Sequence, residues 1–137
     1  MEKTSCGAGD EEEVTWLHAW RLITIFAVSL TLKAAMELGL LDALSNAAGR
    51  ALTADELSAH LPAADKAEAA ASVDRILRLL ASFDIVRCST DAGPAGGHTI
   101  RQYTPAPVCR WLTCNHGGAS LAPLAMFTTD QDYMTTW

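Results

Sequence analysis

The sequence predicts a mainly α-helical domain with one small β-hairpin, and three observations predict this class. Half of the 137 residues are hydrophobic and 19% are charged, so the chain can bury a core. Alanine is the most frequent residue and aromatic residues make up only 7%, which favours helices over a β-sandwich. Apolar residues recur at three- and four-residue steps over most of the chain. The length corresponds to one domain.

Charge and hydropathy exclude several classes of function. The net charge is −6, from 16 acidic and 10 basic residues, which argues against a general nucleic-acid binder. The longest uncharged apolar run, 22–32, lies between Arg21 and Lys33 and is too short to cross a bilayer. The first thirteen residues are acidic and polar, unlike a secretory signal. We therefore predict a cytoplasmic protein without a membrane segment.

The cysteines and histidines predict no chemical centre. Without an export signal, Cys6, Cys88, Cys109 and Cys114 are expected to be free thiols. The spacing from Cys109 through Cys114 to His116 lacks the second ligand pair that is usual for structural zinc. The four histidines are scattered, and no carboxylate stands at a fixed offset from them. We predict no catalytic, cofactor-binding or metal-binding residue.

A long first helix dominates the beginning of the chain. Residues 1–10 are predicted to be a flexible acidic lead, and residues 11–137 the folded domain. The helical pattern begins at Val14 and stops at Gly39. Because this helix is apolar on nearly every side, it must be covered on several sides, either by its own chain or by another protein. We favour another protein, and predict the contact residues Trp16, Leu17, Trp20, Ile23, Phe26, Ala27 and Leu30.

Further helices are predicted before residue 85. A short helix covers 41–47. Thr53 with Glu56 three residues later is a capping box that starts a helix, which ends before Pro62. The next helix covers 66–82. Its predicted buried stripe consists of Val73, Ile76, Leu77, Leu80 and Phe83.

After this helix the apolar period changes. Residues 85–88 and 99–103 are predicted strands, joined by the glycine-rich turn 91–97. A short helix is expected over 108–113, with Trp111 as a core anchor and Cys109 buried and unreactive. Residues 120–137 have a helical pattern.

Helices followed by a hairpin are typical of a winged helix, which is often a DNA-binding fold. Residues 53–113 contain six basic and seven acidic residues, and the turn 91–97 has no Lys or Arg. A DNA-binding domain needs several cations to neutralise phosphates. DNA binding therefore stays the alternative rather than the preferred interpretation.

Four ordered motifs resemble a known family. LKAAMELGLL at 32–41, VDRILRLLAS at 73–82, YTPAPVC at 103–109 and the spacing Asp130…Met134…Trp137 are similar to plant caffeic acid-type O-methyltransferases. The resemblance covers residues 11–137 and is to the N-terminal dimerisation domain of that family. It implies a winged-helix shape used for pairing, not for nucleic acid.

The resemblance also implies what a longer parent protein would do. In that family, a Rossmann-like domain follows, binds S-adenosylmethionine and transfers a methyl group to a phenolic hydroxyl. No G-x-G-x-x-G motif follows a strand in this sequence. We therefore expect a chain truncated before the methyl-donor domain and inactive alone. Its expected partner is a second copy or a related O-methyltransferase.

The same resemblance implies three substrate-pocket residues in the parent enzyme. Thr24 stands where the first helix would reach into the partner's pocket, and Phe127 and Thr128 replace the Met-Asn of lignin-type relatives. This replacement implies a phenolic acceptor other than caffeate. The alternative is that Thr24 bonds to a carbonyl of its own helix and that Phe127 is ordinary core.

Overall fold

The computed structural model describes residues 8–91, 97, 99–114 and 118–136. Over these residues the fold is mainly helical, with one small antiparallel sheet, as predicted. The elements, in chain order, are α1 Ala8–Glu37, α2 Leu40–Asn46, β1 Leu52–Thr53, α3 Ala54–Ser58, α4 Lys66–Ser82, β2 Val86–Asp91, β3 Ile100–Pro105, a 3-10 helix Pro107–Trp111, α5 Ala122–Thr128 and α6 Gln131–Met134.

Helix α1 begins earlier than predicted and ends at the expected place. Its first residue is Ala8, so the last three residues of the predicted flexible lead are helical, and residues 1–7 lie outside the described part. Asp10 and Glu11 occupy its first turn, where the helix dipole favours negative charge. Gly39 has a φ of 69°, a left-handed conformation that ends α1 and allows α2 to start at once.

Side-chain caps fix the starts of α3 and α4. The backbone N–H of Glu56 donates to Thr53 Oγ1 at 3.2 Å, and the Thr53 N–H donates to Glu56 Oε2 at 2.9 Å, which confirms the capping box. Asp65 caps α4 and accepts from the N–H of Ala67 at 2.9 Å. Helix α4 has the predicted bounds, whereas α3 ends at Ser58, before the predicted stop.

The predicted hairpin is part of a three-stranded antiparallel sheet with the order β1-β3-β2. Strands β2 and β3 pair from Val86 opposite Pro105 to Asp91 opposite Ile100. Strand β1, whose Leu52 lies opposite Tyr103, was not predicted. A strand of two residues has no apolar period to detect, and only the tertiary fold defines it.

The core lies where α4, α2 and the sheet meet. Val73, Leu77 and Leu80 of α4 are buried, as predicted. Phe83 is 46% exposed, since it follows the last turn of α4, so its predicted burial is wrong. Trp111 is 42% exposed, against the predicted core position, with the Arg110 guanidinium 4.7 Å from its ring centre. The remaining core side chains include Ala35, Leu40, Leu41, Leu44, Leu52, Leu57, Ile85, Val86, Tyr103 and Cys109.

The predicted helical segment 120–137 forms two short helices rather than one. Helix α5 ends at Thr128, and Asp130 then caps α6 by accepting from the N–H of Asp132 at 2.9 Å. Lys33 of α1 donates its Nζ to the Thr129 carbonyl oxygen at 3.1 Å. This hydrogen bond joins the end of α5 to the second half of α1.

Candidate dimer interface

Helix α1 has two parts with opposite surroundings. From Ala27 to Met36 most side chains are covered, and Val28, Leu32 and Met36 pack against the core. Over residues 9–26 every side chain is exposed except Thr24, which is partly covered. We call residues 9–26 the free segment of α1. At about 1.5 Å per residue, the free segment is about 27 Å long.

The predicted contact residues all lie on α1, and none of them belongs to the core. Six of them are between 46% and 68% exposed, and Ala27 is partly covered. The six are Trp16, Leu17, Trp20, Ile23, Phe26 and Leu30. Such a set of exposed large apolar side chains on one element is typical of an interaction surface.

The apolar surface of the free segment extends beyond the predicted set. Val14, Leu22 and Ile25 point to other sides of the helix and are also more than half exposed. The alternative that the chain wraps this helix by itself is therefore wrong for the described residues. The all-round apolar pattern of the sequence was the signal for these additional residues.

Two tryptophans of this surface stack on each other. Trp16 and Trp20 are one helical turn apart, and their rings stack with centroids 5.8 Å apart and planes 12° apart. Both rings are more than half exposed. A stacked pair of this kind offers a large, rigid apolar area, which is common at the centre of protein interfaces.

By length and composition, α1 could also cross a membrane. The stretch Gly9–Glu37 is long and apolar enough, and little of it is buried. The uncharged run 22–32 lies between Arg21 and Lys33, so a span of about 20 residues that contains this run would carry one or both of these charges. Taken alone, one such helix near the beginning of a chain is weak evidence for a membrane.

The three predicted pocket residues lie on two helices, α1 and α5. The Thr24 hydroxyl donates to the Trp20 carbonyl oxygen at 2.9 Å. This is the hydrogen bond within its own helix that the alternative interpretation expected. Thr128 likewise donates to the Leu124 carbonyl oxygen at 3.0 Å. Phe127 is 58% exposed, so it is not ordinary core, and its ring centre lies 4.8 Å from that of Tyr133. Within one chain, Phe127 and Thr128 are neighbours on α5, and Thr24 is on α1.

A polar cluster that the sequence analysis missed joins the sheet to α4. Tyr103 is fully buried and donates its hydroxyl to Asp74 Oδ1 at 2.7 Å. Burial is the main cause that raises the pKa of Tyr103, and the Asp74 carboxylate adds to it. Arg101 donates to the other oxygen of Asp74 at 3.1 Å. The VDR motif at 73–75 was the only sequence signal for this cluster, and it did not indicate which residues pair with Asp74.

Cys109 is buried, as predicted, and its lack of reactivity stays a prediction. Its Sγ donates to the Ile85 carbonyl oxygen at 2.9 Å, and burial raises the pKa of the thiol. Cys88 and Cys114 are also free thiols, while Cys6 and His116 lie outside the described residues. Within the described ranges, no group of three His, Cys, Asp or Glu side chains could hold a metal ion.

Ion pairs lie in two of the clefts on the described surface. In the cleft beside α3, Arg50 donates to Glu56 Oε1 at 2.8 Å. In the cleft between α4 and β3, Asp74 and Arg101 neutralise each other. A further cleft of about 610 Å³ is open to solvent and lies beside Arg110, whose guanidinium is 4.7 Å from the Trp111 ring centre. The free segment of α1 is therefore the strongest candidate site.

Comparison with known proteins identifies the domain family. Residues 20–115 match the family model of the O-methyltransferase dimerisation domain. A probable inactive methyltransferase of Oryza sativa subsp. japonica is 64% identical over 136 residues, which are 97% of this chain and 36% of that protein. Caffeate O-methyltransferase-like protein 2 of the same plant is 56% identical over 137 residues, covering 98% of this chain and 36% of that protein.

Among solved structures, human N-acetylserotonin methyltransferase in complex with SAM superposes with a TM-score of 0.66 at 20% identity. The match covers 97% of this chain and 33% of that one, and it shows a common fold. The chain spans about a third of the length of these relatives. The expected resemblance to plant caffeic acid-type O-methyltransferases is confirmed, and the chain belongs to the O-methyltransferase dimerisation domain family.

Proposed function

We propose that this chain is a pairing module whose free segment of α1 is covered by a second copy or by a related O-methyltransferase. One observation carries the proposal: from Val14 onwards the free segment carries apolar side chains on all sides, and they are exposed in the single chain. Family membership supports a protein as the covering surface. In a homodimer with a two-fold axis, the same surface is buried twice.

The magnitudes are adequate for association. Full burial of a large apolar side chain stabilises by about 1.5–3 kcal/mol, and roughly half of that remains available for side chains that are half exposed. Several such side chains on each of two copies can offset an association cost of about 4–15 kcal/mol. A single exposed apolar side chain elsewhere on the surface cannot offset this cost.

Sedimentation of the purified chain at tens of micromolar tests the proposal. The wild type is expected to sediment as a dimer, and Ile23→Ser is expected to shift it towards the monomer. The matched control is Ile100→Ser, which removes an exposed isoleucine from β3 and should leave the dimer intact. A wild-type monomer, or equal loss of dimer in both variants, would contradict the proposal.

A membrane is the competing cover for α1. We expect no insertion, because a span of about 20 residues through 22–32 would carry Arg21, Lys33 or both, and a Lys or Arg at the centre of a span costs about 2.5–3.5 kcal/mol. Flotation of the chain with neutral phosphatidylcholine vesicles checks this, and recovery in the vesicle fraction would favour the membrane. The cytoplasmic location stays a prediction, which a fluorescent-protein fusion would check in plant cells.

Nucleic acid is the second alternative. On α4, exposed Arg75 and Arg78 are accompanied by Glu68 and by Asp74, which is paired with Arg101. This balance supports a surface that does not attract phosphates. Fluorescence anisotropy with a labelled random duplex at low salt is expected to show no binding, and salt-sensitive binding would favour the alternative.

For a longer protein that includes this chain, we propose methyl transfer from S-adenosylmethionine to a phenolic hydroxyl. Thr24 would reach the partner's acceptor pocket, and Phe127 with Thr128 would line it. The exposure of Phe127 supports this, since its ring is available to a neighbouring surface. No catalytic residue is proposed within this chain.

A chimera tests the pocket assignment. It would join this chain to the methyl-donor domain of a caffeic acid-type O-methyltransferase. Phe127→Met with Thr128→Asn is expected to increase methylation of caffeate relative to other phenols. Thr24→Ala is expected to change the KM for the acceptor, with Thr15→Ala as the control on the same helix. Unchanged KM values for all acceptors would remove these residues from the pocket.

Pairing with a longer relative is a distinct part of the proposal. Because the two chains would share the same fold and the same α1 surface, a mixed pair would bury the same contacts as a homodimer. Co-expression with a tagged full-length rice relative checks this by co-purification. Loss of the untagged chain when it carries Ile23→Ser would show that α1 makes the contact.

A further inference from the structure

The orientation of the two α1 helices can be inferred from charge, and this inference depends on the proposed pairing. Two-fold symmetry allows two arrangements of a helix pair: antiparallel when the axis is perpendicular to the helices, and parallel when it runs along them. The apolar surface alone does not distinguish them, because apolar side chains surround the free segment from Val14 onwards. The charged residues do distinguish them.

The charges of the free segment are separated along the helix. The four acidic residues 10–13 are consecutive and exposed at its beginning. Arg21 is the one Lys or Arg between residues 9 and 26, and it is also exposed. Within the described residues, Arg21 belongs to none of the ion pairs. One end of the free segment is therefore strongly negative, and a single cation without an ion-pair partner lies about three turns further on.

A parallel pair would bring like charges together. The two acidic runs would lie side by side at an interhelical distance of about 8–10 Å, which is close to the screening length at physiological salt. Arg21 of each copy would lie beside Arg21 of the other. Both contacts are repulsive, and no opposite charge of the free segment would compensate them.

An antiparallel pair brings opposite charges together. If the two free segments pair about their midpoint, Arg21 of one helix lies beside Val14 of the other, about 6 Å along the axis from Asp10. Spacings of seven and four residues place Asp10, Leu17 and Arg21 on one flank of the helix, and this flank faces its own copy in an antiparallel pair. The long Arg21 side chain can therefore approach Asp10 and Glu13 of the partner.

The tryptophans fit the same arrangement. With the midpoint pairing, Trp16 of one helix lies one residue along the axis from Trp20 of the other. The two stacked pairs would meet near the two-fold axis, where an interface excludes water best. We propose that two copies of this chain pair through antiparallel α1 helices, with the tryptophans at the axis and Arg21 of each copy facing the acidic run of its partner.

Sedimentation equilibrium on the full chain at low salt tests the orientation, because the two arrangements predict opposite changes in the dimer Kd when charges are removed. Asp10→Asn combined with Glu11→Gln, Glu12→Gln and Glu13→Gln removes attraction from an antiparallel pair and repulsion from a parallel one. We expect the dimer Kd to rise about three- to tenfold, since each exposed ion pair contributes little. A lower or unchanged Kd would overturn the antiparallel arrangement.

A second variant avoids any change to the start of the helix. Arg21→Gln is expected to raise the dimer Kd in the same way, whereas in a parallel pair it would lower it. The matched control is Arg78→Gln, which removes an exposed arginine from α4 and should leave the Kd unchanged. Added salt is expected to weaken the wild-type dimer and to affect Arg21→Gln less. A wild type that never associates would instead contradict the proposed pairing itself.

Discussion

Helix α4 and the free segment of α1 are both rich in apolar residues, but they place them differently. In α4 the apolar residues form one stripe on a helix that packs against α3, α1 and β2, and Arg75 and Arg78 lie on the exposed side. In the free segment they surround the helix, and the chain itself covers almost none of them. The contrast teaches that a stripe can be satisfied within one chain, whereas an all-round apolar helix requires a second surface.

The largest expected effect concerns the α4 side of this comparison. Leu77 is fully buried, so Leu77→Ala removes packing and leaves a cavity. The free energy of unfolding is expected to fall by about 2–5 kcal/mol, measured by urea denaturation at fixed protein concentration. Leu22→Ala on the free segment is the control and should cost much less. An equal loss at both positions would remove the distinction between the two regions.

The next effect concerns assembly rather than folding. Trp16→Ala with Trp20→Ala is expected to raise the dimer Kd by about 30-fold or more, because buried tryptophans commonly dominate interfaces. Circular dichroism should show that the helical content is kept. Trp111→Ala removes an exposed tryptophan away from α1 and provides the comparison. If it weakens the dimer as much as the double variant does, the contact surface is not α1.

A smaller effect is expected at the cluster that joins the sheet to α4. Tyr103→Phe keeps the buried ring and removes only the hydroxyl that donates to Asp74. We expect a loss of about 1–3 kcal/mol in unfolding free energy, because Asp74 then loses a buried donor. Arg101→Gln breaks the more exposed ion pair and should cost less than about 1 kcal/mol. The reverse order would show that charge, not burial, holds this contact.

The smallest effect is pH-dependent and involves an exposed carboxylate. The Arg50 guanidinium, followed by the Thr53 backbone, holds the pKa of Glu56 below its ordinary value of 4.5. Because the pKa is lower in the folded state, the stabilisation is present above the unfolded pKa and is lost as pH falls through the folded pKa. Urea denaturation from neutral pH to below pH 4.5 should show the wild type losing its advantage over Glu56→Gln. A constant difference would contradict this assignment.

Local sequence signals predicted the elements whose causes are local. The bounds of α4, the capping box of Thr53 and Glu56, and the end of α1 at Gly39 depend on neighbouring residues, and all three are confirmed. Phe83 and Trp111 were predicted in the core but are exposed. Both lie near the end of an element, where no apolar period shows whether a side chain faces the core or the solvent. The strand β1 was missed for the same reason.

For the candidate site, the sequence alone determined that the first helix is apolar on nearly every side, since composition and period are properties of the chain. It also determined the family, through four motifs in order. Only the tertiary structure decided that the core covers α1 from Ala27 onwards and leaves residues 9–26 exposed, because coverage depends on where α2, α4 and α5 lie. The same is true of Tyr103 and Asp74, which are far apart in sequence and meet only when the sheet packs on α4.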